Sequence, residues 1–339
     1  MQSPKIHPRL MMKIVHAFCQ VVSKLLNKPR VYDENEITKR CYRLFHFVAE
    51  KTKLMSEYTE GYYKDGQNTP YELAQEYQIE EILDKVKCGK ETQLLEVGCG
   101  NGGLLRAAKK RGARAVGITV CKEQVEHLRK EGLEVYLCDV RELEKQFNSE
   151  LFDAIVCNGS IEHYVKNKDA LEGKDDLIYK SIFKKFSSVL KPGGLAMTTT
   201  IHMKERKLNN YIASNLGDHK YLSHNWRLAV LIQFYGGWYP SEGQLERCSE
   251  PNFKKIYEYD ATKDYLYTSL DWKRRFLRGM LNPINLYHMF CGVVDSLTKD
   301  PYFAYIALVY FKSGTWTWQF EGENPPVKHL WKVWEKVST

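Results

Sequence analysis

The chain has no apolar run near the roughly 18 residues a membrane span needs. It has no Cys-x-x-Cys pair or other zinc spacing among its nine scattered cysteines. No His/Cys/Asp cluster has metal spacing, so no metal is expected. No block of five like charges and no nucleic-acid motif occurs, so nucleic acid is not an expected partner. The N-terminus lacks a clean secretory signal, because Lys13, Gln20 and Lys24 interrupt its apolar stretch. An odd number of unpaired thiols and no signal point to a cytoplasmic protein with reduced cysteines.

What is present is ordinary for a globular chain of 339 residues, with 43% apolar and 27% charged residues. Aromatics reach 13%, including 22 Tyr, which suits a large apolar pocket. The formal net charge of +8 fits a lysine-rich solvated surface, or attraction to anionic lipid or a phosphorylated substrate. Residues 10–26 read as an amphipathic, slightly basic helix. It has two readings, a helix packed on the core or a lid that touches a membrane surface.

Along the chain, helical spacing covers residues 1–31, 35–56 and 71–87, with an aromatic loop at 57–70. From residue 94 the pattern alternates. Strands are expected at 94–100, 115–119, 134–140, 152–159 and 195–201, with helices at 102–111, 122–132 and 175–190. Lys191-Pro192-Gly193-Gly194 reads as a turn, 202–250 as a largely helical insertion, and the apolar run 302–314 as one more strand. Alternation of this kind predicts an α/β fold with a mostly parallel sheet.

Glu96-Val97-Gly98-Cys99-Gly100-Asn101-Gly102-Gly103 follows a strand and opens a helix. Glycines there let the chain turn sharply and a ligand approach the backbone. A dinucleotide site also wants an acid about 20 residues on. Ile118-Thr119 occupies that position. Glu96, just ahead of the first glycine, can instead meet a cationic ligand through charge-assisted hydrogen bonds.

The segment Leu94–Gly103 resembles the first motif of class I S-adenosylmethionine-dependent methyltransferases, and residues 117–124 resemble the cyclopropane fatty acid synthases in particular. Ile161-Glu162-His163, the Lys-Pro-Gly-Gly turn, residues 236–245 with Ser249-Glu250-Pro251, residues 264–272 and the loop Tyr58–Tyr63 are similar to further motifs of that family, in its order, over roughly residues 55–315. The resemblance implies a Rossmann-like, seven-stranded, mostly parallel sheet whose last strand is antiparallel. It implies a helical N-terminal lid at 1–88, and a methyltransferase domain at 89–339 with a substrate-cap insertion at about 202–250. It implies S-adenosylmethionine as cofactor, contacted by Tyr58, Thr59, Glu96, Gly98, Gly100, Thr119, Gln124 and Asn158, with Asp139 near the adenine. Glu162, His163 and Tyr265 would face the reacting centre.

The chain departs from the family where a base is held. The loop Cys position is Glu60 and the fifth-strand His position is Thr199. A carboxylate at 60 repels bicarbonate and can replace it. Glu60 is thus either an exposed loop acid or, like Glu162, a candidate base that also stabilises a carbocation. The resemblance implies carbon methylation or cyclopropanation of an alkene in a lipid or isoprenoid-like substrate, with peripheral membrane contact in view. The long insertion tells against an ordinary phospholipid acyl chain. Nitrogen methylation of a small amine or alkaloid is the alternative, and a non-catalytic cofactor-binding module a third reading.

Overall fold

The structure, a computed structural model, describes residues 8–147, 149 and 151–337. Three helices come first: α1 (Pro8–Leu25), α2 (Glu34–Thr52) and α3 (Tyr71–Lys85). Then strands and helices alternate as β1 (Gln93–Val97), α4 (Gly103–Lys110), β2 (Arg114–Thr119), α5 (Lys122–Lys130), β3 (Glu134–Leu137), α6 (Leu143–Gln146) and β4 (Phe152–Asn158). After α7 (Asn167–Leu171) and α8 (Asp175–Val189) comes the long β5 (Leu190–Met203). The rest is α9 (His224–Tyr235), α10 (Gln244–Ser249), β6 (Phe253–Asp260), α11 (Thr262–Gly279), α12 (Pro283–Lys299), α13 (Pro301–Ser313), α14 (Thr315–Trp318) and β7 (Val327–Lys336).

Among the described residues the strands form one seven-stranded sheet of order β3-β2-β1-β4-β5-β7-β6. β1 to β5 are parallel, and β7 runs antiparallel between β5 and β6. The fold is therefore the seven-stranded class I methyltransferase arrangement the resemblance implies. The strand order reverses between the parallel β1 and β4, and the crevice beyond their carboxyl ends is where such sheets take ligands.

Three sequence expectations change. The run 302–314 is helix α13, not a strand. Thirteen mostly apolar residues do not declare their own period. The start signal decides it: Asp300 accepts the Tyr302 and Phe303 N–H groups at 3.0 Å, and Pro301 takes the first helical position. The final strand is β7 instead. The Lys-Pro-Gly-Gly turn is a bulge inside β5: Phe152 pairs with Leu190, yet Ala154 pairs with Leu195. The insertion at 202–250 is helical only in α9 and α10, apart from one short 3-10 turn.

Asp300 caps α13 while it ion-pairs with Arg40 of α2. Asp300→Ala should lower unfolding free energy by about 2 kcal/mol, read as a drop in denaturation midpoint. An unchanged midpoint would show that neither contact contributes.

Candidate active site

A cavity of about 330 Å³ opens at the carboxyl ends of β1, β2 and β4. Every residue expected at the cofactor lines it: Tyr58, Thr59, Glu96, Gly98, Gly100, Thr119, Gln124, Asp139 and Asn158. The glycine loop forms its floor. Gly98 sits at φ +84°, and a Cβ there would come 2.6 Å from the Ser160 Cβ. Ser160 is fixed in turn by its hydroxyl, which donates to the Val97 carbonyl at 2.6 Å.

Several polar groups in the cavity are positioned but only half used. Thr119 donates to Gln124 Oε1 at 2.7 Å, leaving the buried Gln124 Nε2 without a protein partner. The buried Glu96 Oε2 has none either. Burial and the charge of Glu57 hold the Glu96 carboxyl well above the usual carboxylate range. Burial likewise pushes Glu57 up to about 7, against the pull of Arg106 and the Gly103 N–H. Two acids and an amide donor thus await a ligand with a cationic group and a hydrogen-bond acceptor. Asp139 is already engaged, accepting from the Arg141 backbone at 2.9 Å and side chain at 2.6 Å.

A second group of residues lies behind this cavity. Glu60 is fully buried, which removes the reading of an exposed loop acid. Its Oε1 lies 2.8 Å from His329 Nε2 and accepts from the Trp331 indole and from Gln78 Nε2. Burial would raise this carboxyl, but the charge and hydrogen bond of His329 bring it below its usual value. Glu162, in the turn after β4, is treated differently. Its Oε1 accepts the Ile201 N–H at 2.8 Å, while its buried Oε2 has no partner. Burial leads, and the charge of Glu60 adds, so Glu162 is pushed up to about 7.

Tyr265 on α11 joins this group, with its ring 4.7 Å from that of His329 and stacked on Phe320 at 4.6 Å. His163 stands on the wall between the cavity and a small apolar recess of about 20 Å³ beside Glu162, Tyr235 and Tyr239. It meets the Tyr42 hydroxyl at 2.7 Å. Burial and Lys166 lower it to about 4, so it is neutral at pH 7. Thr199 donates to Asn158 at 2.7 Å and serves the end of β4.

Sequence reasoning missed His329, Trp331 and Gln78. The signal for the two on β7 was the alternation of Val327, His329, Trp331 and Val333 on one face of that strand. Lys328 and Lys332, interleaved with them, disguise it. Gln78, on α3, carried no signal.

Comparison with known proteins follows this geometry. The family profile described as mycolic acid cyclopropane synthetase matches residues 36–291. The chain is 32% identical over 226 residues to the cyclopropane-fatty-acyl-phospholipid synthase of Escherichia coli (strain K12), covering 65% of this chain and 51% of that protein. It is 30% identical over 196 residues to a probable fatty acid methyltransferase of Mycobacterium tuberculosis, covering 55% and 41%. The chain spans about half the length of the curated relatives it matches. The cyclopropane synthase MmaA2 from Mycobacterium tuberculosis superposes with a TM-score of 0.64 at 19% identity, over 91% of this chain and 99% of that one. Coclaurine N-methyltransferase, bound to N-methylheliamine and SAH, superposes with a TM-score of 0.64 at 16% identity, over 97% and 96%. At such identities the superpositions speak for the fold.

His329→Leu takes from the buried Glu60 the imidazole 2.8 Å from its Oε1, at a cost of about 3 kcal/mol. Without that neighbour burial raises the folded-state pKa of the carboxyl, so the variant gains stability as pH falls and the deficit narrows between neutral pH and the ordinary carboxylate range. Chemical denaturation of both proteins across that window tests this. A deficit that does not vary with pH would mean that Glu60 is not the group left behind.

Proposed function

The chain belongs to the mycolic acid cyclopropane synthetase family, and from that premise we propose that it moves the methyl group of S-adenosylmethionine to an apolar acceptor, with Glu162 taking the departing proton. The observation that carries this reading is the Glu162 carboxyl itself. It is buried in the turn after β4, has one oxygen fixed and one without a partner, and burial pushes it up to about 7. A base of that pKa is matched to neutral pH.

The cavity suits the cofactor. Glu96, with an unpartnered oxygen, and its neighbour Glu57 would hold the cationic groups of S-adenosylmethionine, and the Gln124 amide would donate to its hydroxyls. When bound, it supplies an electrophilic methyl group. Tyr58 and Thr59, from the proposed N-terminal lid, close over the glycine loop and Gly159.

Glu60 and Glu162 form a pair of acids whose surroundings drive their pKa values apart, which assigns them different roles. Glu60, whose hydrogen-bond partners and neighbour His329 bring it below its usual value, stabilises positive charge that develops on the acceptor. Glu162 removes the proton. For an alkene acceptor, attack on the methyl group leaves a carbocation, and proton loss to Glu162 completes the methyl branch or ring. Tyr239 and Tyr265 offer aromatic faces to that cation. A fixed anion at position 60 makes bicarbonate unnecessary.

The acids beside the recess favour a second reading, nitrogen methylation: two buried carboxyls among tyrosines suit an ammonium ion. Mass spectrometry after incubation with methyl-labelled cofactor, with lipid extract and separately with an amine library, decides between the two. Label in a lipid supports the alkene, and label only in an amine supports the alternative.

Glu162→Gln should lower kcat about a hundredfold or more while cofactor affinity, read by calorimetry, stays within about twofold. In the parent enzyme kcat/KM should fall tenfold per pH unit below about 7, because only the ionised carboxylate accepts a proton. Full activity of the variant, or no cofactor binding by the parent, would overturn the assignment.

A further inference from the structure

Helix α1 is apolar on two opposite sides. Met12, His16, Cys19 and Ser23 are buried against the body of the protein, while Leu10, Ile14, Phe18, Val21 and Leu25 stand exposed. At 100° per residue the two rows lie roughly 170° apart, so packing of α1 does not account for the outer one. Helix α12 repeats the pattern more strongly. Of its 17 residues only Gly292 is buried, and Ile284, Tyr287, Phe290, Val294 and Leu297 are exposed. Phe18 is 64% exposed and Phe290 65%. Both helices pack against α13, which adds the exposed Leu308 and Phe311 between them.

The charge around these faces is mainly positive. Residues 1–32 contain six Lys and Arg and no Asp or Glu. Residues 272–299 contain five Lys and Arg against a single acid, Asp295, which pairs with Lys299. Lys24, Lys28, Lys273 and Arg278 are exposed beside the apolar rows. Among the described residues no helix is long and apolar enough to cross a membrane. Apolar rows fringed by cations, on helices too polar to span, match the surface of an anionic bilayer.

An aromatic column leads inward from this face. Phe311 contacts Phe276 at 5.8 Å, Phe234 at 5.9 Å and Phe45 at 6.4 Å. Phe45 stacks on Tyr58 at 5.9 Å, and Tyr58 lines the cavity at the glycine loop. An apolar acceptor drawn from a bilayer would meet such a column on its way in.

We propose that α1, the segment 277–297 and the exposed edge of α13 form one docking face for an anionic lipid bilayer. The inference holds whichever atom accepts the methyl group. Co-sedimentation with vesicles of phosphatidylglycerol and phosphatidylcholine in equal parts tests it on the whole chain. The protein should sediment with these vesicles, and about tenfold less with pure phosphatidylcholine or at high salt. Phe18→Glu with Val21→Glu, and separately Ile284→Glu with Phe290→Glu, should each cut sedimentation about tenfold. Lys24→Ala with Lys28→Ala should cut it only for the anionic vesicles. All are surface changes, so melting temperature and calorimetric affinity for S-adenosylmethionine should stay at the parent values, which separates lost docking from lost folding. Failure of the parent to sediment, or sedimentation of the glutamate variants like the parent, would sink the proposal. So would a dimer in vesicle-free solution that these variants dissociate, since a second copy would then cover the face. Sedimentation by a protein that does not bind S-adenosylmethionine would leave docking standing and remove the proposed activity instead.

Discussion

A carboxylate taken out of water must be given a partner or give up its charge, and among the acids this protein buries, Glu60 and Glu162 lie near enough for the charge of one to raise the other. Glu60 gathers three partners on its Oε1, from Gln78 on α3 and from His329 and Trp331 on β7, while its Oε2 is left without one. Glu162 receives one backbone N–H. The difference in partners separates two chemically identical groups, so that one stays below its usual value and the other rises to about 7. The antiparallel strand β7, threaded between β5 and β6, is what delivers the imidazole and the indole to Glu60. Its other face is equally committed: the fully buried Lys332 pairs with Glu246 at 2.8 Å, and Trp334 donates to Thr198 at 3.0 Å. A strand anchored on both faces holds its histidine in register, because a slip of one residue would turn His329 away from Glu60.

The turn that carries Glu162 is held from the other side by two glycines. A Cβ on Gly237 would come 2.4 Å from the Glu162 carbonyl, and one on Gly236, at φ +64°, would come 2.3 Å from the Glu34 carbonyl. Thr38 of α2 donates to the Gly236 carbonyl at 2.7 Å, and Glu34 accepts the Asn167 N–H at 2.9 Å. Helix α2, the Glu-His turn and the Gly-Gly segment therefore form one interlocked unit. That unit links the N-terminal helices to the sheet's carboxyl edge, which is why residues before the glycine loop can contribute to the site at all.

What was legible in the sequence follows from where each constraint is local. The glycine loop, Thr119 with Gln124, and the turn after β4 are short motifs whose backbone needs show in neighbouring residues. All of them fall where they were expected. Glu60 showed its residue type but not its burial, because its environment comes from chain more than two hundred residues away. The strand β7 was missed for a related reason. Its period of two is masked because both faces are buried, so its lysines and tryptophans alternate with no polar face to mark it. The run 302–314 was misread in the opposite direction, since aromatic and β-branched residues suggested a strand while the decisive Asp300 cap lay just outside it.

The split between Glu60 and Glu162 also bears on which acceptor the site serves. A carbocation holds its proton so weakly that any well-placed carboxylate removes it, and only the ionisation of Glu162 at about 7 would shape the pH profile. An alkyl amine is different, because it must lose its own proton before its nitrogen can attack. Its ordinary pKa is near that of lysine, about 10.4. Two buried anions hold it there or higher, since they favour the ammonium form. For an amine acceptor kcat/KM should therefore keep rising well above pH 7. For an alkene it should level off just past the titration of Glu162. The profile measured to high pH in the Glu60→Gln variant sharpens the distinction. Loss of that anion lowers the ammonium pKa and moves the upper limb toward neutrality for an amine, whereas for an alkene it lowers the plateau without adding a second titration.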